Sequence, residues 1–171
     1  MRNRPMMNSQ ALAAAALMLA LTGCNRNTAP GNDREAAVDA PPTPAPVMGA
    51  HAALANVAPE IIKPETMSNA DIHALGGRQG RCAVKLTEVA FPSFLFEPGG
   101  SGAIKLNGKL IVLPAAGEGR FADGGLSVML RPLDEEGDAG LGDMQMIVVP
   151  PGADDELGYS GYVQCYRGGA A

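Results

Sequence analysis

The chain has 171 residues, with 13 Lys and Arg against 18 Asp and Glu and a net charge of −5 at pH 7. That balance argues against nucleic acid as a partner and against a basic patch for anionic lipid. With no Trp, three Tyr and four Phe, any core must rest on Val, Leu, Ile, Ala and Met, and the length allows one ordinary domain.

The chain begins with Arg2, Arg4 and no acid, then turns apolar from Ala11 to Leu21. A basic start followed by a short apolar run is the pattern of a secretory signal. The run is too short for a transmembrane helix, which needs about 20 apolar residues. Leu21-Thr22-Gly23-Cys24 closes it and resembles the lipobox of bacterial lipoproteins. The resemblance implies a signal peptide over 1–23, lipidation of the Cys24 thiol, cleavage before Cys24 and acylation of the new amino terminus. Acyl chains contribute about 0.8 kcal/mol per buried methylene, so the product stays on a membrane without spanning it. Asn25 stands where the family places Asp for inner-membrane retention, which implies the outer membrane, facing the periplasm. Loss of Arg2 and Arg4 leaves 11 basic and 18 acidic residues, a net charge of −7.

Residues 24–65 are rich in Ala, Pro and small polar side chains, with Pro41-Pro42-Thr43-Pro44-Ala45-Pro46 at the centre. They read as a disordered tether, extended by its prolines, with a mean reach on the order of 35 Å. His51 lies inside it. Residues 66–80 read as a short helix and connector. Ser68-Asn69-Ala70-Asp71 resembles a capping box with Asp in place of Glu or Gln, and Gly76-Gly77 supplies a stop. A helix over Asn69–Leu75 is too short to persist alone, so it is expected to pack through Ile72 and Leu75, leaving His73 exposed.

From Cys82 the pattern changes to short β-type runs separated by Gly, Pro and Asp. Cys82–Thr87 alternates; Phe91–Phe96 holds three of the four phenylalanines. Ala103–Leu106 and Lys109–Leu113 flank Asn107-Gly108, which favours a type I′ hairpin. Leu126–Arg131 alternates after Gly124-Gly125, Met144–Val149 is a continuous apolar run, and Tyr159–Tyr166 closes the region. The fold class is therefore mostly β: a small antiparallel barrel or sandwich of about six strands over 81–167, with one short N-terminal helix and a tail at 168–171. Cys82 and Cys165 form an even pair in an oxidising compartment. Two free thiols or half of a metal site are the rival readings, but both histidines lie upstream of the pair. A disulfide tying the first strand to the last is expected.

The acidic run Asp134-Glu135-Glu136-Gly137-Asp138 places Asp134, Glu136 and Asp138 at EF-hand spacing. The pattern then fails at Ala139 and Gln145, where Gly and a bidentate Glu are required. A weak calcium site is weighed there against a solvated turn, and the turn is preferred. Asp154-Asp155-Glu156 reads in the same way. Ser93, Ser101, Ser127 and Ser160 have no histidine within Cys82–Ala171 to activate them, and no Gly-x-Ser-x-Gly elbow is present. No catalytic residue and no cofactor is assigned.

Ala103-x-x-Leu106-x-Gly108, Leu113-Pro114 and Gly117-Glu118-Gly119-Arg120-Phe121-Ala122-Asp123-Gly124 resemble the periplasmic lysozyme inhibitors, small disulfide-tied β-barrel lipoproteins. That family offers a Ser-Gly-x-x-Tyr loop to the catalytic carboxylates of its target. Here Glu118 replaces the Ser, Phe121 replaces the aromatic hydroxyl one residue early, and the second, Lys-bearing motif is missing. The resemblance makes Glu118, Arg120 and Phe121 candidate partner contacts. The reading taken from the whole sequence is a lipid-anchored, non-enzymatic envelope protein whose β-domain binds an envelope protein or the cell wall, or has a structural role. Its rivals are an inhibitor of a cell-wall hydrolase and an enzyme using loop carboxylates.

Overall fold

Two residues with positive φ, Asn107 at 48° and Gly108 at 70°, turn the chain between β4 (Gly102–Leu106) and β5 (Lys109–Leu113), with Leu106 opposite Lys109. This is the hairpin expected of Asn-Gly. It belongs to a ten-stranded sheet seen in a computed structural model, which describes residues 42–136 and 141–168 apart from the side chains of 134–136. All of these fall within one unit of the chain, Pro41–Ala171.

The remaining strands are β1 (Val47–Met48), β2 (Cys82–Lys85), β3 (Phe94–Phe96), β6 (Ala115–Gly117), β7 (Arg120–Asp123), β8 (Leu126–Glu136), β9 (Gly142–Val149) and β10 (Leu157–Cys165). Their order is β1-β5-β4-β3-β2-β10-β9-β8-β7-β6. Apart from β1, which runs parallel to β5, neighbours are antiparallel. The class is the mostly β one expected, with ten strands where about six were anticipated. The seven runs singled out in the sequence hold β2–β5 and β8–β10, and the additions are β1, β6 and β7, all short.

The sheet curls into a half-barrel. Strands β5 and β6 pair near opposite ends of the ladder, yet only Pro114 separates them in the chain. Proline donates no ladder hydrogen bond, so pairing changes partner there: β5 pairs with β4 and β6 with β7. The Ala122 N–H donates to the Pro114 carbonyl at 3.0 Å. Curling brings Phe121 of β7 against Phe94 and Phe96 of β3, with ring centroids 5.1 and 5.7 Å apart. Ile104, Leu106, Ile111, Leu113, Leu126, Val128, Met146 and Val148 fill the rest of this concave core. In β9 the run expected to be buried on both faces is so in part: Met146 and Val148 join the core, and Ile147, at the alternate position, is also buried.

Cys82 and Cys165 stand directly opposite each other where β2 pairs with β10, and they form a disulfide. The first strand of the Cys82–Cys165 region is thus fastened to its last.

The tether expected over 24–65 requires correction for its described part. Residues 42–65 belong to the fold: β1 extends the sheet beside β5, α1 (Ala50–Leu54) follows, and Pro59–Ile61 form a 3₁₀ turn. Ala50, Ala53, Leu54 and Ile62 are buried in the main core. Alanine-rich composition suggests disorder because it offers little apolar area, but small side chains suit a close approach. A Cβ placed on Gly124, in the β7–β8 turn, would lie 3.3 Å from the Ala50 Cβ and 3.1 Å from the His51 nitrogen.

Helix α2 (Asn69–Ala74) has the predicted capping box: Ser68 accepts from the Asp71 N–H, and the Asp71 carboxylate accepts from the Ser68 N–H. Ile72 is buried and Leu75 half-buried against the convex face of the sheet, with Met67, Ala83, Leu95, Ala103 and Leu110. His73 is exposed, as expected. Among the described residues no helix is long and apolar enough to cross a membrane.

Candidate functional site

Alternation along β10 sends Tyr159 and Val163 toward the concave core, so Ser160, Tyr162 and Gln164 lie on the convex face. Register then builds a row across three strands, because Tyr162 is opposite Lys85 of β2 on one side and Asp143 of β9 on the other. Residue 161 must be glycine for this approach: a Cβ there would come within 2.3 Å of the Lys85 carbonyl oxygen.

Two clefts flank Tyr162. One, of about 400 Å³, is lined by Leu86, Thr87, Glu88, Val89 and Tyr162. The other, of about 120 Å³, is lined by Leu86, Leu133, Asp143, Ser160, Gly161 and Tyr162. The Lys85 ammonium is tied down beside them, donating to the Glu88 carbonyl at 2.9 Å and to Gln164 Oε1 at 3.1 Å. The Tyr166 hydroxyl also donates to Gln164 Oε1. Asp143 Oδ1 is closed off from solvent without any hydrogen-bond partner. Leaving a buried acceptor unmet costs about 1–3 kcal/mol, and more when it is charged. Val89, 94% exposed, and Leu133, 44% exposed, present apolar surface beside the clefts.

A third cleft of about 370 Å³ lies between the 3₁₀ turn and the β9–β10 loop, where Glu60, Asp154 and Asp155 meet Pro59, Pro150 and Leu157. The second acidic run thus lies in an exposed loop. Among the described residues no group of three His, Cys, Asp or Glu side chains could hold a metal ion. Of the weighed calcium candidates, Asp134 and Glu136 end β8 with side chains outside the described residues, as is the whole of Asp138.

Glu118 and Arg120 are exposed around the β6–β7 turn. Phe121 requires correction as a partner contact: it is 4% exposed and packed in the core between Phe94 and Phe96. Its alternation with exposed Arg120 turns it inward. Cys24 lies outside the described residues. Ser93 is fully buried with its hydroxyl unpartnered, and Ser160 lines the smaller Tyr162 cleft. The Tyr162 row could not be found from sequence: Lys85, Asp143 and Tyr162 stand far apart in the chain, and only register unites them.

Asp71 is 1% exposed, and its titration is strongly perturbed. Burial by itself would raise its pKa, but the Lys105 ammonium at 2.8 Å and the N–H groups of Ala45 and Ser68 outweigh that and hold it at about 2. Burial pushes the Tyr159 hydroxyl upward.

These features define a β-rich, disulfide-tied domain with a packed concave core and shallow clefts on its convex surface. Residues 20–168 match the family model described as Domain of unknown function (DUF6692), and the chain belongs to that family. No curated protein and no solved structure matches it.

Proposed function

We propose that this is a lipid-anchored, non-enzymatic binding module of the cell envelope, held through Cys24 and facing the periplasm from the outer membrane. The lipobox supports the anchor. The observation that carries the binding role is the Tyr162 row, where exposed Val89 and Leu133 each border one of the two clefts and the smaller cleft holds Asp143, whose Oδ1 has no partner. Because 42–65 belong to the fold, at most 17 residues separate Cys24 from Pro42. Even fully extended they span no more than about 60 Å, so the partner lies near the membrane that holds the anchor. Labelling with a palmitate analogue tests the first half: wild type takes up label and Cys24→Ala does not. Equal labelling of both would refute the anchor.

Inhibition of a cell-wall hydrolase is the second reading. It is favoured by Glu118 and Arg120, exposed on a tight hairpin turn. It predicts that Arg120→Ala abolishes inhibition of a lysozyme by a protein that remains folded. No inhibition by wild type would end that reading.

A further inference from the structure

We infer that the smaller Tyr162 cleft receives a lysine side chain of a basic protein partner, with Asp143 as its counter-ion. This rests on the convex face around Tyr162 being the binding surface and adds the chemistry of what binds. Leu86 and Leu133 give the cleft, of about 120 Å³, an apolar lining, and the Tyr162 ring borders it. Long cationic side chains lay their methylenes on such surface and carry the charge at the tip, where a tyrosine face is itself attractive to an ammonium. Asp143 and the Ser160 hydroxyl line the same cleft; Oδ1 of Asp143 is closed off and has no donor to offset its charge, so an incoming ammonium meets the carboxylate through its other oxygen. An ammonium brings three donors on a compact point charge, enough for that oxygen and the Ser160 hydroxyl.

The chain's own nearby cation does not fill this role, because the Lys85 ammonium is held by Glu88 and Gln164. Charge complementarity selects a basic partner: the whole chain carries −5, which steers cationic surfaces toward it. Exposed Val89 and Leu133 beside the cleft would be covered by the partner around the inserted lysine. A neutral glycan could stack on Tyr162, but it would leave the carboxylate charge uncompensated.

The test is amide-resolved NMR of the intact chain in mild detergent, titrated with acetyl-Gly-Lys-Gly-amide. Parallel titrations use the same peptide with norleucine for lysine and the trimer of N-acetylglucosamine. The lysine peptide is expected to shift the amides of Leu86, Asp143, Ser160 and Tyr162 saturably. The norleucine peptide, and the lysine peptide on Asp143→Asn, are expected to bind at least about tenfold more weakly. Equal binding of the two peptides overturns the lysine assignment without any variant needing to fold, and leaves the surface standing as a binding face. Shifts at these amides with the sugar trimer alone do the same in favour of a glycan. If none of the probes moves them, the binding-face reading falls with the inference.

Discussion

Asp71 joins three parts of the fold at one buried carboxylate: the start of α2 through Ser68, the N-terminal segment through Ala45, and β4 through Lys105. Replacing it by Asn keeps the shape, removes the charge facing Lys105, and turns an amide donor toward groups that are themselves donors. Breaking a buried ion pair from one side costs about 3–5 kcal/mol. Lys105 is 17% exposed and recovers some hydration, so we expect about 3 kcal/mol for Asp71→Asn at pH 7. The effect depends on pH in a defined direction. The folded-state pKa, about 2, lies below the ordinary value of 3.8, so acid protonates the unfolded chain first. The stabilisation is whole above 3.8 and is lost as pH falls toward 2. Its size is roughly 2 kcal/mol, from the shift at about 1.36 kcal/mol per unit. Urea unfolding of wild type and Asp71→Asn at pH 7 and at pH 2.5 measures it. The gap between the two proteins should narrow by most of that amount at the lower pH. A gap of the same size at both, or a variant as stable as wild type at pH 7, would refute the assignment of Asp71 as the clasp.

Reduction of Cys82–Cys165 should lower the urea midpoint by an amount worth up to about 4.5 kcal/mol on the chain-entropy account; equal midpoints with and without reductant would contradict it. Phe121→Ala should cost about 3–5 kcal/mol, whereas exposed Arg120→Ala should stay within about 0.5 kcal/mol; thermal melts of the pair decide whether Phe121 is core. Gly161→Ala should destabilise by about 1–3 kcal/mol, the usual cost of overpacking, because the added methyl meets the Lys85 carbonyl. A melt unchanged from wild type would show that β2 and β10 do not approach so closely there.

What was legible in the sequence was local. The Asn107-Gly108 turn, the Ser68–Asp71 cap and the apolar runs of β4, β5, β9 and β10 each declare themselves within a few residues, because turn chemistry and alternation act at that range. Strands β6 and β7 were missed because Ala115–Gly117 and Arg120–Asp123 are too short for alternation to register. The segment from Pro42 to Glu65 is illegible in the sequence for a different reason. Its alanines and prolines lack intrinsic drive to order, and the surface that orders them is supplied by β5, the β7–β8 turn and Asp71, all distant in sequence. The motif around Phe121 suggests a surface contact, whereas its partners Phe94 and Phe96 decide its direction. The Tyr162 row shows the same limit: Lys85, Asp143 and Tyr162 are of no note alone and are brought side by side only by register.

In-cell crosslinking from a photoreactive residue at Val89, 94% exposed beside the Tyr162 cleft, tests the central claim most directly. The chain would be exported with Cys24 intact and, in parallel, as Cys24→Ala. An anchored binding module predicts one specific protein adduct from the intact chain, lost in Cys24→Ala and weakened by Asp143→Asn. No specific adduct from the intact chain, or the same adduct in equal yield without the anchor, would contradict the account.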